Sequence, residues 1–271
     1  MKPLEEAAAR AASREIFEKI YDDYNRRIYV SPDPLQFLYD YEDTVDREVA
    51  GIIASGLAYG RVAQILKSVK KVLDALGQHP AEHLKESSLD DHRAALCGFV
   101  HRFTDCDEMC LFLAAVGEAL RSHGSLEALF LSGYDGDMRE GMENFAAAIC
   151  RCAGRDRLYL LPRPSKGSAC KRMALFLRWM VRCDEVDPGG WRNISPADLQ
   201  IPLDTHMFNI SSTLGLCSSK SANGKAAAEI TENFKDISPD DPVKYDFALT
   251  RYGIREEMTV EELFAKWRTE R

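Results

Sequence analysis

Asp46-Arg47-Glu48-Val49-Ala50-Gly51-Ile52-Ile53-Ala54-Ser55-Gly56-Leu57-Ala58-Tyr59-Gly60-Arg61-Val62 opens the stretch that decides the fold, which continues to Leu76. Apolar residues recur there at three- and four-residue spacing: Val49, Ile52, Ile53 and Leu57, then Ile65, Leu66, Val69 and Val72 beyond a break at Tyr59-Gly60. That period places the apolar side chains on one helix face, and the break reads as the turn of a helical hairpin with buried faces. Outward from it, the same spacing predicts helices over 4–24, 107–121, 125–131, 138–152, 170–182, 205–215, 222–234, 242–251 and 259–267. Sustained period-two alternation is missing, and only 158–161 reads as a short extended piece. The fold class expected is all-α.

The chain has 271 residues, enough for one or two domains with a sizeable core. Its 45% hydrophobic and 29% charged residues exclude a mainly disordered or fibrous protein. No run approaches the roughly 18 apolar residues of a membrane span. Glu5 and Glu6 stand where a signal peptide would be apolar, so a cytoplasmic protein without a membrane partner is expected. The eight cysteines contain no C-x-x-C pair, which points to reduced, mostly buried thiols. His79-Pro80-Ala81-Glu82-His83 matches an H-x-x-E-H pattern, but Pro80 sets it at a helix start and no third ligand follows. No metal and no cofactor are expected.

Net charge is −8, yet residues 151–182 hold nine basic residues against the single acid Asp156, leaving −16 on the remainder. A basic stripe on an acidic body suits a protein that meets a phosphate backbone in one orientation. A solvated helix face paired with acids from elsewhere is the blander alternative.

Two loops, 154–168 with Pro162, Pro164 and Gly167, and 183–203 with Asp187-Pro188-Gly189-Gly190-Trp191, flank one helix. Lys171 falls in or near the first turn of that helix, which continues through Met173, Phe176, Leu177 and Met180. The partial positive charge of a helix start and poor solvation both disfavour an ammonium, and an amine held as free base attacks a sugar or carbonyl carbon to give a Schiff base. A lysine snorkelling from a helix edge is the alternative. Asp204, between Pro202 and the next amphipathic stretch, reads as an N-cap. A carboxylate held there also serves to stabilise an oxocarbenium ion or activate a nucleophile, and the two roles are compatible.

The run Pro202, Asp204, Thr205, His206, Phe208, Ile210 resembles the Pro-x-Asp-Thr-His-x-Phe-x-Val segment of endonuclease III, in the helix-hairpin-helix superfamily of DNA glycosylases. The resemblance covers 167–216. It implies that Asp204 is the catalytic aspartate and that Lys171 matches the lysine which, in bifunctional members, attacks the anomeric carbon. Their separation of 33 positions resembles the longer connection of the archaeal 8-oxoguanine glycosylase branch, with 183–203 as that connection. The hairpin departs from the Leu-Pro-Gly-Val-Gly pattern: Leu161-Pro162-Arg163-Pro164-Ser165-Lys166-Gly167 makes Lys166 a competing nucleophile. Only Cys217 follows the aspartate, so the iron–sulfur cluster of endonuclease III has no ligands here.

Nearly the whole chain is similar to the bacterial family catalogued as domain of unknown function 2400. The similarity runs through Asp33-Pro34-Leu35, Glu48-Val49-Ala50, Ala58-Tyr59-Gly60-Arg61-Val62, Lys166-Gly167-Ser168-Ala169-Cys170-Lys171-Arg172, Leu177-Arg178-Trp179-Met180-Val181-Arg182, Pro202-Leu203-Asp204-Thr205-His206 and Asp241-Pro242-Val243-Lys244-Tyr245-Asp246-Phe247. It implies no activity by itself.

Together the resemblances imply a two-lobed helical fold like that of the helix-hairpin-helix DNA glycosylases. One lobe spans 31–190, the other 1–30 plus 191–271, and the active cleft lies between them. The expected function is base excision of a damaged purine such as 8-oxoguanine through a lysine Schiff base, with base flipping imposed by access to the glycosidic bond. Lys171 and Asp204 are the catalytic candidates; Arg172, Arg178, Arg182, His206 and Lys166 bind substrate, and Trp191, or Trp179 in its place, stacks on the extruded base. The helix introduced by Asp241-Pro242 and carrying Lys244, Tyr245 and Asp246 either returns to the same cleft or, the stronger reading, is simply a capped helix with Pro in its first turn. The partner is then DNA carrying a damaged base. A non-catalytic nucleic-acid-binding module and an N-glycosidase acting on a modified nucleoside are the alternatives.

Overall fold

The computed structural model describes residues 3–254 and Glu262, with side chains over 14–251 and at 262. Among the described residues the helices are α1 (Pro3–Tyr24), α2 (Thr44–Gly56), α3 (Val62–Leu76), α4 (Pro80–Glu86), α5 (Leu89–Ala95), α6 (Cys106–His123), α7 (Leu126–Leu131), α8 (Met138–Cys152), α9 (Lys171–Val181), α10 (Thr205–Thr213), α11 (Gly224–Lys235) and α12 (Asp246–Ile254). Among the described residues, the sheet is a two-stranded antiparallel hairpin of β1 (Val100–His101) and β2 (Thr104–Asp105). The chain is thus mostly helical, in keeping with the all-α class. No described helix is long and apolar enough to cross a membrane.

The decisive stretch forms α2 and α3 as expected. Asp43 starts α2 by accepting the amides of Val45 and Asp46, and Gly60, at φ +98°, makes the turn into α3. The whole of α2 from Glu48 to Gly56 is buried, because its small residues admit neighbours closely. A Cβ on Gly51 would sit 3.2 Å from the Phe176 ring of α9. Helix α2 packs on α9 and on the 3₁₀ segment Pro34–Asp40; α6 packs on α4, α5, α7 and α8; α12 packs on α1 and α10.

Several expectations are corrected. Residues 158–161 form a turn, closed by the Leu161 amide on the Leu158 carbonyl at 3.2 Å, rather than an extended piece. The helix expected from 242 begins only at Asp246, because 242–245 close turns onto Asp241 and Val243. Helices α4 and α5 and the hairpin lie where no element was predicted. All eight cysteines are free, but burial holds only for Cys110, Cys150 and Cys170, while Cys97, Cys152 and Cys183 are exposed. The helix expected over 259–267 lies outside the described residues, apart from Glu262.

Two buried charge systems fix the loop 183–203. In the first, Arg178 on α9 donates to Asp187 Oδ1 from Nε and Nη2 at 3.1 and 3.0 Å and also pairs with Asp246. Arg182, one turn on, pairs with Asp187, with Asp184 at 2.8 Å and with Asp241 at 2.8 Å. Tyr21 of α1 donates to Asp184 at 2.9 Å. In the second, the fully buried Glu48 accepts the amides of Leu126 and Glu127 at 2.7 and 3.0 Å and the Trp191 indole N–H at 2.7 Å.

Replacing Asp187 by alanine leaves two buried guanidinium groups short of a counter-charge. Denaturant unfolding of Asp187→Ala should show a loss of about 3–5 kcal/mol; a loss below about 1 kcal/mol contradicts the network's role. For Glu48, burial outweighs its three donors and pushes the carboxyl up to about 7. The folded chain then retains a proton that the unfolded chain releases, so this group makes stability fall as pH rises from about 4.5 to about 7. Glu48→Gln should flatten that dependence by up to about 1.4 kcal/mol per pH unit, and an unfolding profile parallel to wild type contradicts it.

Candidate active site

The segment before α9 is shaped by two left-handed residues. Gly167, at φ +76°, ends the 3₁₀ turn Pro164–Lys166, and its carbonyl accepts the Gly224 amide at 2.9 Å. Cys170 adopts φ +49° without being glycine, a conformation that costs about 1–2 kcal/mol. Its amide donates to Ser168 Oγ at 3.0 Å and its thiol packs toward the Pro162 carbonyl at 3.4 Å. The bend makes Lys171 the first residue of α9, whose first turn has no side-chain cap.

Asp204 precedes α10 and uses its two oxygens differently. Oδ1 accepts the Met207 amide at 2.9 Å, as an N-cap does. Oδ2 lies 3.4 Å from Lys171 Nζ, with both side chains partly open to solvent. The cap and the charge partner are thus one carboxylate, and residues 33 apart in sequence meet.

The pair opens onto a cleft of about 260 Å³. Of the sequence candidates, Lys171, Asp204, His206 and Arg178 line it. Tyr59, Trp179, Asp246 and Phe247 are also part of its wall. Asp246, the first residue of α12, lines the cleft, whereas Lys244 and Tyr245 turn away to bond Glu18 at 2.6 and 2.8 Å. Burial, helped by the Asp204 charge and opposed by Arg178, pushes the Asp246 carboxyl up to about 6.

The other candidates are placed elsewhere. Trp191 is 3% exposed, edge-on to Phe176 at 5.3 Å and bonded to Glu48, so it is a core residue and offers no face to a base. Arg182 is buried by its three carboxylates and cannot reach a phosphate. Arg178 borders the cleft, but its guanidinium is committed to Asp187 and Asp246. Arg172 donates to the Gly56 and Tyr159 carbonyls at 3.1 and 2.6 Å and is held between the rings of Tyr59 and Tyr159. Lys166 is exposed on its turn and does not line the cleft. The basic stripe therefore faces solvent mainly through Arg151, Arg155, Arg157 and Lys166.

Beside the cleft, aromatic rings lead outward. Tyr59 meets Tyr159 at 5.4 Å, and Tyr159 meets Phe103 at the hairpin tip at 5.8 Å. Phe103 is 69% exposed and Tyr159 43%. Phe103 went unnoticed in the sequence because a lone aromatic between Arg102 and Thr104 carries no periodic signal.

A family model described as Protein of unknown function (DUF2400) matches residues 33–255. The chain belongs to this DUF2400 family. The matched span begins at Asp33, itself on the cleft wall, and ends just beyond α12, so it takes in every residue lining the cleft. Neither a curated protein nor a solved structure matches the chain.

Asp204→Ala removes the cap of α10 and should cost about 1 kcal/mol in urea unfolding. Asp204→Asn keeps an equally good capping oxygen and should stay within a few tenths of wild type. Equal losses in the two variants contradict the division of labour between the oxygens.

Proposed function

We propose that the protein is a base-excision DNA glycosylase/lyase of the helix-hairpin-helix type, removing a damaged purine such as 8-oxoguanine. The observation that carries this reading is the approach of Lys171 Nζ to Asp204 Oδ2 at 3.4 Å inside a cleft, in the order along the chain that the superfamily uses. In this reading the lysine opens α9 in the lobe expected over 31–190, and the aspartate that caps α10 belongs to the second lobe expected from both chain ends, 1–30 plus 191–271. The exposed rings of Phe103, with Arg102 over it at 5.4 Å, and of Tyr159 offer the stacking faces and positive charge that a nucleic-acid strand requires.

In this mechanism Asp204 takes a proton from the Lys171 ammonium. The free amine attacks C1′ of the extruded nucleotide as the bond from C1′ to the base breaks, and the departing base takes up a proton. Opening of the sugar ring moves the C1′–O4′ electrons onto O4′, which is protonated, and leaves an iminium between Nζ and C1′. Loss of a C2′ proton then expels the 3′ phosphate, and water hydrolyses the iminium to free Lys171.

Single-turnover cleavage of an oligonucleotide carrying 8-oxoguanine should fall at least about 100-fold in Lys171→Gln and in Asp204→Asn. Cleavage retained in both variants overturns the assignment. The inward commitment of Arg178 and Arg182 favours a second reading, an N-glycosidase on a modified nucleoside, which needs no phosphate track. Turnover of free nucleosides with intact oligonucleotides would select it.

A further inference from the structure

In-line displacement at C1′ brings the amine in on the side away from the base, so Lys171 and the carboxylate 3.4 Å from its Nζ stand on the attacking side. The base leaves on the other side with the bonding electron pair and takes up a proton there. Asp204 is not placed to give that proton. The donor must be a second group of the cleft wall, and most polar side chains of that wall are already engaged. The Tyr59 hydroxyl donates to the His101 carbonyl at 2.8 Å and meets Thr104 Oγ1 at 2.7 Å. Thr250, 7% exposed, donates to the Asp246 carbonyl at 2.9 Å. Asp33 accepts from Arg251 at 3.2 Å and from the Leu35 amide at 3.0 Å, and Arg178 is shared between Asp187 and Asp246. Asp246 keeps one oxygen without a hydrogen-bond partner, and the Trp179 indole N–H also lacks one. Each of these two atoms has less than 1 Å² of accessible surface, so no ligand reaches either.

His206 differs from all of these. It is the second residue of α10, lines the cleft, is exposed, and makes no hydrogen bond or ion pair with any described residue. Side chains two apart at a helix start do not face one another, so His206 and Asp204 meet the cleft at different points of its wall. The cleft, about 260 Å³, is at the small end of ligand sites, which keeps the groups of its wall close to whatever Lys171 attacks. Histidine is also the residue type most often used to pass a proton in a transition state. We infer that His206 is the general acid of base release: its imidazolium gives a proton to the departing base as the bond from C1′ breaks, and the neutral ring takes a proton back from solvent. The inference rests on the base-excision reading of the cleft and adds a catalytic residue to it. Its role is confined to one step, because an abasic site has no base to release.

The test compares two single-turnover reactions of wild type and His206→Gln with enzyme in excess: base release from an oligonucleotide carrying 8-oxoguanine, and strand cleavage at a preformed abasic site. At saturating enzyme the rate of base release should fall at least about 100-fold in His206→Gln. Cleavage at the abasic site, and the yield of its borohydride-reduced adduct with Lys171, should stay within about threefold of wild type, which also shows that the variant is folded. A structural role would slow both reactions together. A role in binding alone would raise the enzyme concentration at half-saturation and leave the saturated rate of base release intact. Either of those results overturns the inference, and so does base release at the wild-type rate in His206→Gln. Base release lost in Lys171→Gln but kept in His206→Gln overturns this inference and leaves the excision reading standing. No base release by wild type overturns the excision reading, and this inference with it.

Discussion

Arg178, in the last turn of α9, and Arg182, the residue that follows the helix one turn on, are both almost wholly buried. Guanidinium groups in that position must be met by carboxylates, and the chain supplies four: Asp184 and Asp187 from the loop after α9, Asp241, and Asp246 at the start of α12. The net gain in stability from such pairs is small after desolvation, but the penalty for misplacing one is large. They act as a register device. The pairs tie the loop 183–203, Asp241 and the start of α12 to α9, in an arrangement that also sets Asp204, before α10, at the start of α9.

At that junction local rules are relaxed. Cys170 holds a left-handed conformation, the first turn of α9 has no side-chain cap, and Asp246 and Trp179 keep unpartnered polar atoms. Each feature lowers stability on its own, and all of them border one cleft or the residue that enters it. Helices α2, α5, α6, α7 and α8, by contrast, are capped by Asp43, Ser88, Asp105, Ser125 and Asp137, and relaxed local rules beside a cleft are what a working site shows.

Long amphipathic segments were legible in the sequence because their period survives any tertiary context. Helices α2, α3, α6 and α8 stand within two residues of their expected ends. The short α4 and α5 and the hairpin were not, since seven residues or fewer give no period and β1 and β2 hold two residues each. Lys171 and Asp204 were legible as a pair only through the motif around Asp204. Their neighbours misled for a physical reason: charge counted along a sequence does not tell which arginines face solvent. Arg178 on α9 and Arg182 just after it are buried, yet both were read as phosphate ligands. Trp191 was placed in a loop and assumed to be free, yet its loop is tied to the core through Glu48. The opposite holds for Asp33 and Tyr59, which reach the cleft from segments far from Lys171 and entered the sequence reading only through the family similarity, with no chemistry attached.

The central claim is that the Lys171 amine, rather than that of Lys166 or another exposed lysine, is the group presented to an electrophilic carbon by this cleft. The most direct measurement is borohydride reduction of the protein on an oligonucleotide containing an abasic site, followed by proteolysis and mass spectrometry of the adducted peptide. A single modified residue at Lys171 is the expected result. Modification at Lys166, modification spread over many lysines, or no adduct would contradict the claim.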